Sequence, residues 1–192
     1  MCRPDEPACL VIDPGAEPSR ILDVIEERKL EPIAVLVTHG HIDHVGALAA
    51  VARSTGAPVY SSLREAPWLR ALSGADYPGY QDAEPYEPEH LLEGGERLSL
   101  GPYAIDVRNA PGHSPGSVAF AIDGALYSGD VLFRGSVGRT DLREGDWPTL
   151  QASIAALIAE FPPETPVLCG HGDPTTLGEE LASNPFLEEL RR

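Results

Sequence analysis

Cysteine and lysine are both scarce in this 192-residue chain, and each shortage removes a class of protein. The cysteines, Cys2, Cys9 and Cys169, are odd in number and show no Cys-x-x-Cys spacing, which argues against a disulfide scaffold and against a cysteine-ligated zinc module. Cys169 reads as a small buried residue, although it stands close to His171. Lys29 is the only lysine, the thirteen arginines are scattered, and the formal net charge is -16. A chain of that sign does not gather phosphates, so nucleic acid is not an expected partner. An anionic small molecule would need a locally focused basic pocket, and Arg134, Arg139 and Arg143 are the nearest approach to one. No apolar stretch is long enough to span a bilayer. The opening Met1-Cys2-Arg3-Pro4-Asp5-Glu6-Pro7 also lacks the basic-then-apolar order of a secretory signal. No membrane partner is expected, and a cytoplasmic location is the default.

What is present suits a compact α/β enzyme: 42% hydrophobic residues, many turn formers, and a length that makes one domain over residues 1–192 the default. Strands are expected at Ala8 to Ile12, Ile33 to Val37, Ala57 to Tyr60, Tyr103 to Val107, Ser117 to Ile122, Ala125 to Ser128 and Pro166 to Leu168. Asp123-Gly124 supplies a two-residue hairpin turn. Helices are expected from Pro18 to Lys29 with a buried stripe of Ile21, Leu22, Val24, Ile25 and Leu30, near Val45 to Ser54, at Ser62 to Leu72, from Leu150 to Phe161, and within Thr176 to Leu190. Residues Ser73 to Glu93 are irregular and carry Tyr77, Tyr80 and Tyr86, as a surface loop or a lid would.

The densest chemistry lies in His39-Gly40-His41-Ile42-Asp43-His44, directly after the apolar run Ile33 to Val37. On an extended chain residues two apart point the same way, so His39, His41 and Asp43 can aim at one point from a strand-to-helix loop. Imidazole and carboxylate are donors for zinc and suit iron and manganese too, and the side chains do not choose among them. The plainer alternative makes these surface histidines, with Asp43 as N-cap of the next helix. Three later segments repeat the arrangement, each setting a ligand type beside glycine at a strand end: Pro111-Gly112-His113-Ser114-Pro115-Gly116, Ser128-Gly129-Asp130, and Cys169-Gly170-His171-Gly172. Each alone reads as a turn. Together they leave only His90 outside the pattern, as an ordinary exposed residue.

In this order, Thr38-His39-Gly40-His41-Ile42-Asp43-His44 and the three later segments resemble the metallo-beta-lactamase superfamily from about Leu10 onward. Ser128 to Asp141, which contains Gly138-Arg139-Thr140-Asp141, and the segments after Gly170-His171-Gly172 are similar to the glyoxalase II-like, or hydroxyacylglutathione hydrolase-like, subgroup. The resemblance implies a four-layer αββα sandwich, here expected to lack the first N-terminal strands. It implies two divalent metal ions, zinc foremost, with iron or manganese as alternatives. His39, His41 and His113 would hold one ion, Asp43, His44 and His171 the other, and Asp130 both. Asp13, in Ile12-Asp13-Pro14-Gly15, matches a family position where a carboxylate can accept a hydrogen bond from a ligand imidazole; the other reading is a plain turn aspartate.

The chemistry so implied is hydrolysis by a metal-bridged hydroxide, because a water between two ions is acidified from near 16 toward roughly 7. The expected substrate is an acyl thioester such as a hydroxyacylglutathione, with Asp43 orienting the nucleophile. Arg139 is the candidate for a substrate carboxylate, or else an ion-pair partner of Asp141 or Asp146. The full-length glyoxalase II enzymes carry a C-terminal helical region for glutathione, and the sequence ends about twenty residues after His171, which leaves the thiol carrier open. Two alternatives share the fold. One is a glutathione persulfide dioxygenase with a single iron on His39, His113 and Asp130; the other is a lactone or beta-lactam hydrolase.

Overall fold

The computed structural model describes residues 1–191, and Arg192, the last residue of the expected domain, lies outside the described residues. The chain forms two compact units, Met1–Glu93 with Ser99–Pro102, and Gly94–Leu98 with the residues from Tyr103 onward.

The first unit is a parallel sheet of β1 (Ala8–Ile12), β2 (Glu31–Leu36), β3 (Val59–Ser62) and β4 (His90–Leu92), in the order β1-β2-β3-β4. Parallel neighbours need crossovers, which α1 (Pro18–Glu27), α2 (Ile42–Val45) with α3 (Leu48–Thr55), and α4 (Ala66–Arg70) provide. Val35, Leu36 and Val37 are all 0% exposed, so the strand that delivers the histidine loop is a rigid mount. The stripe of α1 is shallower than its periodicity predicts: none of its residues is buried and Val24 is 40% exposed. A cavity of about 450 Å³, lined by Ile21, Val24 and Ile25 of α1 and by Cys9 to Ile12 of β1, lies along that face.

The helix expected near Val45 to Ser54 is α3, starting three residues later, and an unexpected short helix, α2, precedes it across the turn at Gly46 and Ala47. Strand β4 was not expected; its three residues follow a Pro- and acid-rich stretch, and pairing with β3 imposes the extended form. His90 is exposed as expected, and its ring stacks on Tyr60 with centroids 4.2 Å apart. Tyr80 and Tyr86 pack on the apolar cluster of Val35, Val37, Leu48 and Leu69, and the Tyr86 N–H donates to Leu69 O. The segment they belong to is thus anchored on this unit at Tyr80 and Tyr86.

The second unit is a mixed sheet in the order β12-β11-β8-β7-β6-β5. Its strands are β5 (Arg97–Leu100), β6 (Tyr103–Asn109), β7 (Val118–Ile122), β8 (Ala125–Gly129), β11 (Pro166–Cys169) and β12 (Thr175–Thr176), with β9 (Leu132–Phe133) and β10 (Ser136–Val137) as a separate two-stranded ribbon. Asp123 and Gly124 turn β7 into β8 with φ of 51° and 79°, the positive pair that a type I′ hairpin requires. Helix α5 (Trp147–Glu160) starts where Asp146 accepts the Thr149 N–H at 2.9 Å, and it buries Leu150, Ile154 and Leu157. Helix α6 (Leu177–Ser183) and a 3₁₀ turn over Pro185–Arg191 close the described chain. Strands β5, β9, β10 and β12 have no signature in the sequence because two to four residues carry too little periodicity. Among the described residues no helix is long and apolar enough to cross a membrane.

One buried carboxylate organises the second unit's loops. Glu180 is 2% exposed and accepts from Gly135 N–H at 2.8 Å, Asn184 Nδ2 at 2.8 Å and Thr175 Oγ1 at 2.6 Å. Hydrogen bonds to a charged acceptor contribute about 1.5–3 kcal/mol each, and losing the acceptor strands its buried donors. Glu180→Leu is expected to lower the unfolding free energy by about 3 kcal/mol or more. Urea denaturation checks this, and a change below about 1 kcal/mol would show that the donors find other partners.

Candidate functional site

In the first unit the site begins at Asp13, which follows β1 with a left-handed φ of 47°, a conformation aspartate tolerates. Its carboxylate takes three hydrogen bonds: Thr38 N–H to Oδ1 at 2.7 Å, Thr38 Oγ1–H to Oδ2 at 2.6 Å, and His44 Nδ1 to Oδ2 at 3.0 Å. The next residues must lie close to the histidine loop, since a Cβ on Gly15 would stand 1.8 Å from Asp43 O. Only glycine fits there.

These contacts fix the ring tautomers. Thr38 spends its hydroxyl proton on Asp13, so its oxygen can only accept from the His39 Nδ1 that lies 3.0 Å away. His44 likewise presents Nδ1–H to the Asp13 carboxylate. Both imidazoles therefore donate through Nδ1 and leave Nε2 as the ring nitrogen that could meet an ion, as a metal-binding histidine held by an outer acceptor does. Asp13, His39 and His44 lie close enough to hold an ion among themselves. Asp13's oxygens are already committed to donors, so it supports ligands instead of being one.

The loop then brings His39, His41, Asp43 and His44 together. His39 is 4.7 Å from His41 and 4.1 Å from His44 between ring centroids, and Asp43 Oδ2 is 3.9 Å from His44 Nε2. The alternation expected of an extended loop holds only for His39 and His41. His41 has extended φ and ψ and is the N-cap of α2, so Asp43 and His44 are delivered from helical positions. The same fact removes the reading of Asp43 as an N-cap, because it sits inside the first turn. His39 and His44 are buried, whereas the Asp43 side chain is 40% exposed and open to a substrate.

Two supports in this unit have no sequence signal. Glu65, 0% exposed, accepts the Gly40 N–H at 2.8 Å, and Trp68 lies against His41 with centroids 5.5 Å apart. Both come from the start of α4, within the helix expected at Ser62 to Leu72, whose sequence does not say which loop it packs against.

In the second unit, Asp130 directly follows β8 and is 9% exposed. Its Oδ2 lies between two imidazoles, 3.6 Å from His113 Nε2 and 3.4 Å from His171 Nε2. His113 Nδ1 lies 2.7 Å from the Arg139 carbonyl, which can only accept, so this ring too donates Nδ1–H, and its Nε2 is the nitrogen that faces Asp130. Gly138 makes that possible: a Cβ there would be 1.9 Å from Asp130 O and 3.2 Å from His113 Cγ. The Arg139 guanidinium grips Asp141 through two bonds, 2.7 Å and 2.8 Å, and holds the Asp141 carboxyl down at about 2. Arg139 thus pairs with Asp141, while Asp146, its other possible partner, caps α5. Gly138 and Arg139 also line a cavity of about 650 Å³ with Thr140, Trp147, Gln151 and Phe186. Burial raises the Cys169 thiol, whose Sγ lies 3.1 Å from His171 O.

Each unit therefore offers imidazole Nε2 atoms on rings held through Nδ1, with a carboxylate beside them, a donor set that fits divalent zinc, iron or manganese. Glu65→Ala is expected to expose the Gly40 amide and speed its hydrogen exchange at least tenfold, with Glu65→Gln restoring most of the protection through its carbonyl oxygen. Unchanged exchange in the alanine variant would show that Glu65 does not hold the loop.

The metallo-beta-lactamase superfamily model matches residues 5–171. The probable metallo-hydrolase YqgX of Bacillus subtilis is 42% identical over 93% of this chain and 87% of its own length. The hydroxyacylglutathione hydrolase GloC of Haemophilus influenzae is 35% identical over 95% and 89%. Among solved structures, BLEG-1, a B3 metallo-beta-lactamase, aligns with a TM-score of 0.89 at 39% identity over 98% of this chain and 92% of that one. TTHA1623 in a di-iron-bound form aligns at 0.83 with 44% identity over 92% and 88%. The α/β class read from the sequence, the αββα class of these neighbours, is the class of this chain. The chain belongs to the metallo-beta-lactamase superfamily.

Proposed function

We propose that this metal-dependent hydrolase of the superfamily cleaves an acyl thioester, of the kind a hydroxyacylglutathione represents, to a carboxylic acid and a free thiol. The observation that carries the metal reading is the donor set: Nδ1 of His39, His44 and His113 each faces an oxygen acceptor, which leaves Nε2 for a cation. On this reading His39, His41 and His113 hold one ion, Asp43, His44 and His171 a second, and Asp130 both. Zinc is the first choice; the di-iron-bound form of TTHA1623, 44% identical, supports iron as its rival. Bound there, the ions would act as Lewis acids, lowering the pKa of water toward neutrality and polarising the acyl carbonyl.

The remaining work falls to the chain. Asp43, the most exposed of the loop's acids and imidazoles, is placed to orient the attacking water and to pass a proton to the leaving sulfur. Asp13 and the Arg139 carbonyl keep the histidines in one tautomer. The thioester reading rests on GloC; the resemblance to BLEG-1 favours a beta-lactam as the second substrate class. A cytoplasmic setting and a small-molecule partner, with neither nucleic acid nor membrane, accord with the net charge of -16 and the cysteine pattern.

Metal analysis of the purified protein with assays on S-lactoylglutathione, a beta-lactam and glutathione persulfide tests this. Two ions per chain with thioester cleavage are expected. One iron with oxygen uptake on the persulfide, or cleavage of the lactam alone, would overturn it. Asp13→Ala is expected to weaken metal affinity by about 10–100-fold, since it removes the acceptor behind His44 and, through Thr38, behind His39. Equilibrium competition with a chelator measures the loss, and unaltered affinity would deny Asp13 that role.

Arg139 is the proposed contact for a substrate carboxylate, and Asp141 its internal competitor. Arg139→Ala is expected to raise KM about tenfold for an anionic thioester with kcat little changed, and Asp141→Asn to lower KM. If KM is the same in both variants, substrate charge is not read at this position.

A further inference from the structure

The Cys2 and Cys9 thiols are brought face to face by the main chain in the first unit. Met1 and Leu10 exchange both backbone hydrogen bonds, Met1 N–H to Leu10 O at 2.7 Å and Leu10 N–H to Met1 O at 2.9 Å. The neighbouring antiparallel bridge is Cys2 with Cys9, which places them at the non-hydrogen-bonded position. There Cα atoms stand about 4.5 Å apart with side chains on the same face, at the near end of the range a disulfide spans. Cys2 is exposed, whereas Cys9 is 2% exposed, at the start of the cavity beneath α1.

We propose that Cys2 and Cys9 form a reversible intramolecular disulfide that clamps the segment before β1 onto that strand, with an oxidised low-molecular-weight thiol such as glutathione disulfide as the oxidant. The exposed Cys2 sulfur attacks one sulfur of the oxidant and releases one equivalent of thiol. Cys9 then attacks the Cys2 sulfur of the mixed disulfide and releases the second. Both cysteine protons end on the two released thiols, and the oxidant accepts the two electrons that the cysteines lose. Burial, and then the neighbouring Cys2, push the Cys9 thiol up to about 11, so Cys9 is suited to the resolving and not the attacking part. The clamp acts on the strand that ends one residue before Asp13, the carboxylate that orients His44.

The test incubates the full chain with glutathione disulfide, alkylates it under denaturing conditions, and maps the peptides by mass spectrometry without reduction. Loss of two alkylatable thiols, with a Cys2–Cys9 linked peptide and no retained glutathione, is expected. Cys9→Ser is expected to stop at the Cys2 mixed disulfide, and Cys2→Ser to keep Cys9 alkylatable. The oxidised wild-type chain should melt about 5 °C higher than the reduced one and return on adding dithiothreitol. Retention of all thiols, a persistent mixed disulfide in the wild type, or linkage through Cys169 would overturn the pairing. A linked peptide with no rise in melting temperature would overturn the clamp.

Discussion

The Asp13 carboxylate is the interaction on which the first unit's site depends. It directly follows β1, accepts both the main-chain and side-chain donors of Thr38, and holds His44 by Nδ1. Because the Thr38 proton is spent on Asp13, the orientation of His39 is set by the same carboxylate at one remove. One acidic side chain thus fixes two imidazoles that leave the chain at different places, one just after a strand and one inside a helix. Glycine at position 15 completes the arrangement by letting the turn after Asp13 close against the Asp43 carbonyl.

The second unit reaches a similar end by other means. His113 is held by a main-chain carbonyl, that of Arg139, and not by a carboxylate. A carbonyl cannot rotate away or change charge, but it must be carried to the ring by its loop, and that loop is in turn restrained by the buried Glu180 at Gly135. Side-chain identity matters less here than backbone path, which explains why Gly138 is the residue the geometry cannot replace. The negative charge of Asp130 then faces Nε2 of both His113 and His171.

That difference governs what was legible in the sequence. The candidate ligands of the first loop could be read from their density within six residues, and Asp13, His113, Asp130 and His171 could be suspected as titratable side chains next to glycine or proline near a strand end. The Arg139 carbonyl could not, since every residue owns one. Glu65 could not either: an acid at the start of a helix is ordinary, and only its contact with Gly40, 25 positions earlier, makes it a buried acceptor. Long strands with continuous apolar runs, such as Val35 to Val37, declared themselves. Strands of two or three residues did not, for their extended form comes from the neighbour they pair with. The break between α2 and α3 is also tertiary in origin: a Cβ on Gly46 would stand 2.5 Å from Gly15 O and from a Tyr80 ring carbon, so the chain there is shaped by the Asp13 turn.

Charge bears on the anionic substrate proposed for this chain. A chain of net charge -16 repels carboxylates at long range, but that repulsion is screened beyond about 8 Å at physiological ionic strength. Recognition must then be local, and the cavity at Gly138 and Arg139 has one cation on its wall. Asp141 neutralises that cation and is held ionised by it down to about pH 2, so the pair is intact throughout the neutral range. An incoming carboxylate would therefore exchange for Asp141 rather than fill a vacant site, and the affinity gained would be the difference between two similar ion pairs. An exposed pair contributes little to begin with, which makes Asp141 a cheap group to displace and a simple position at which selectivity for charged acyl or thiol groups can be set.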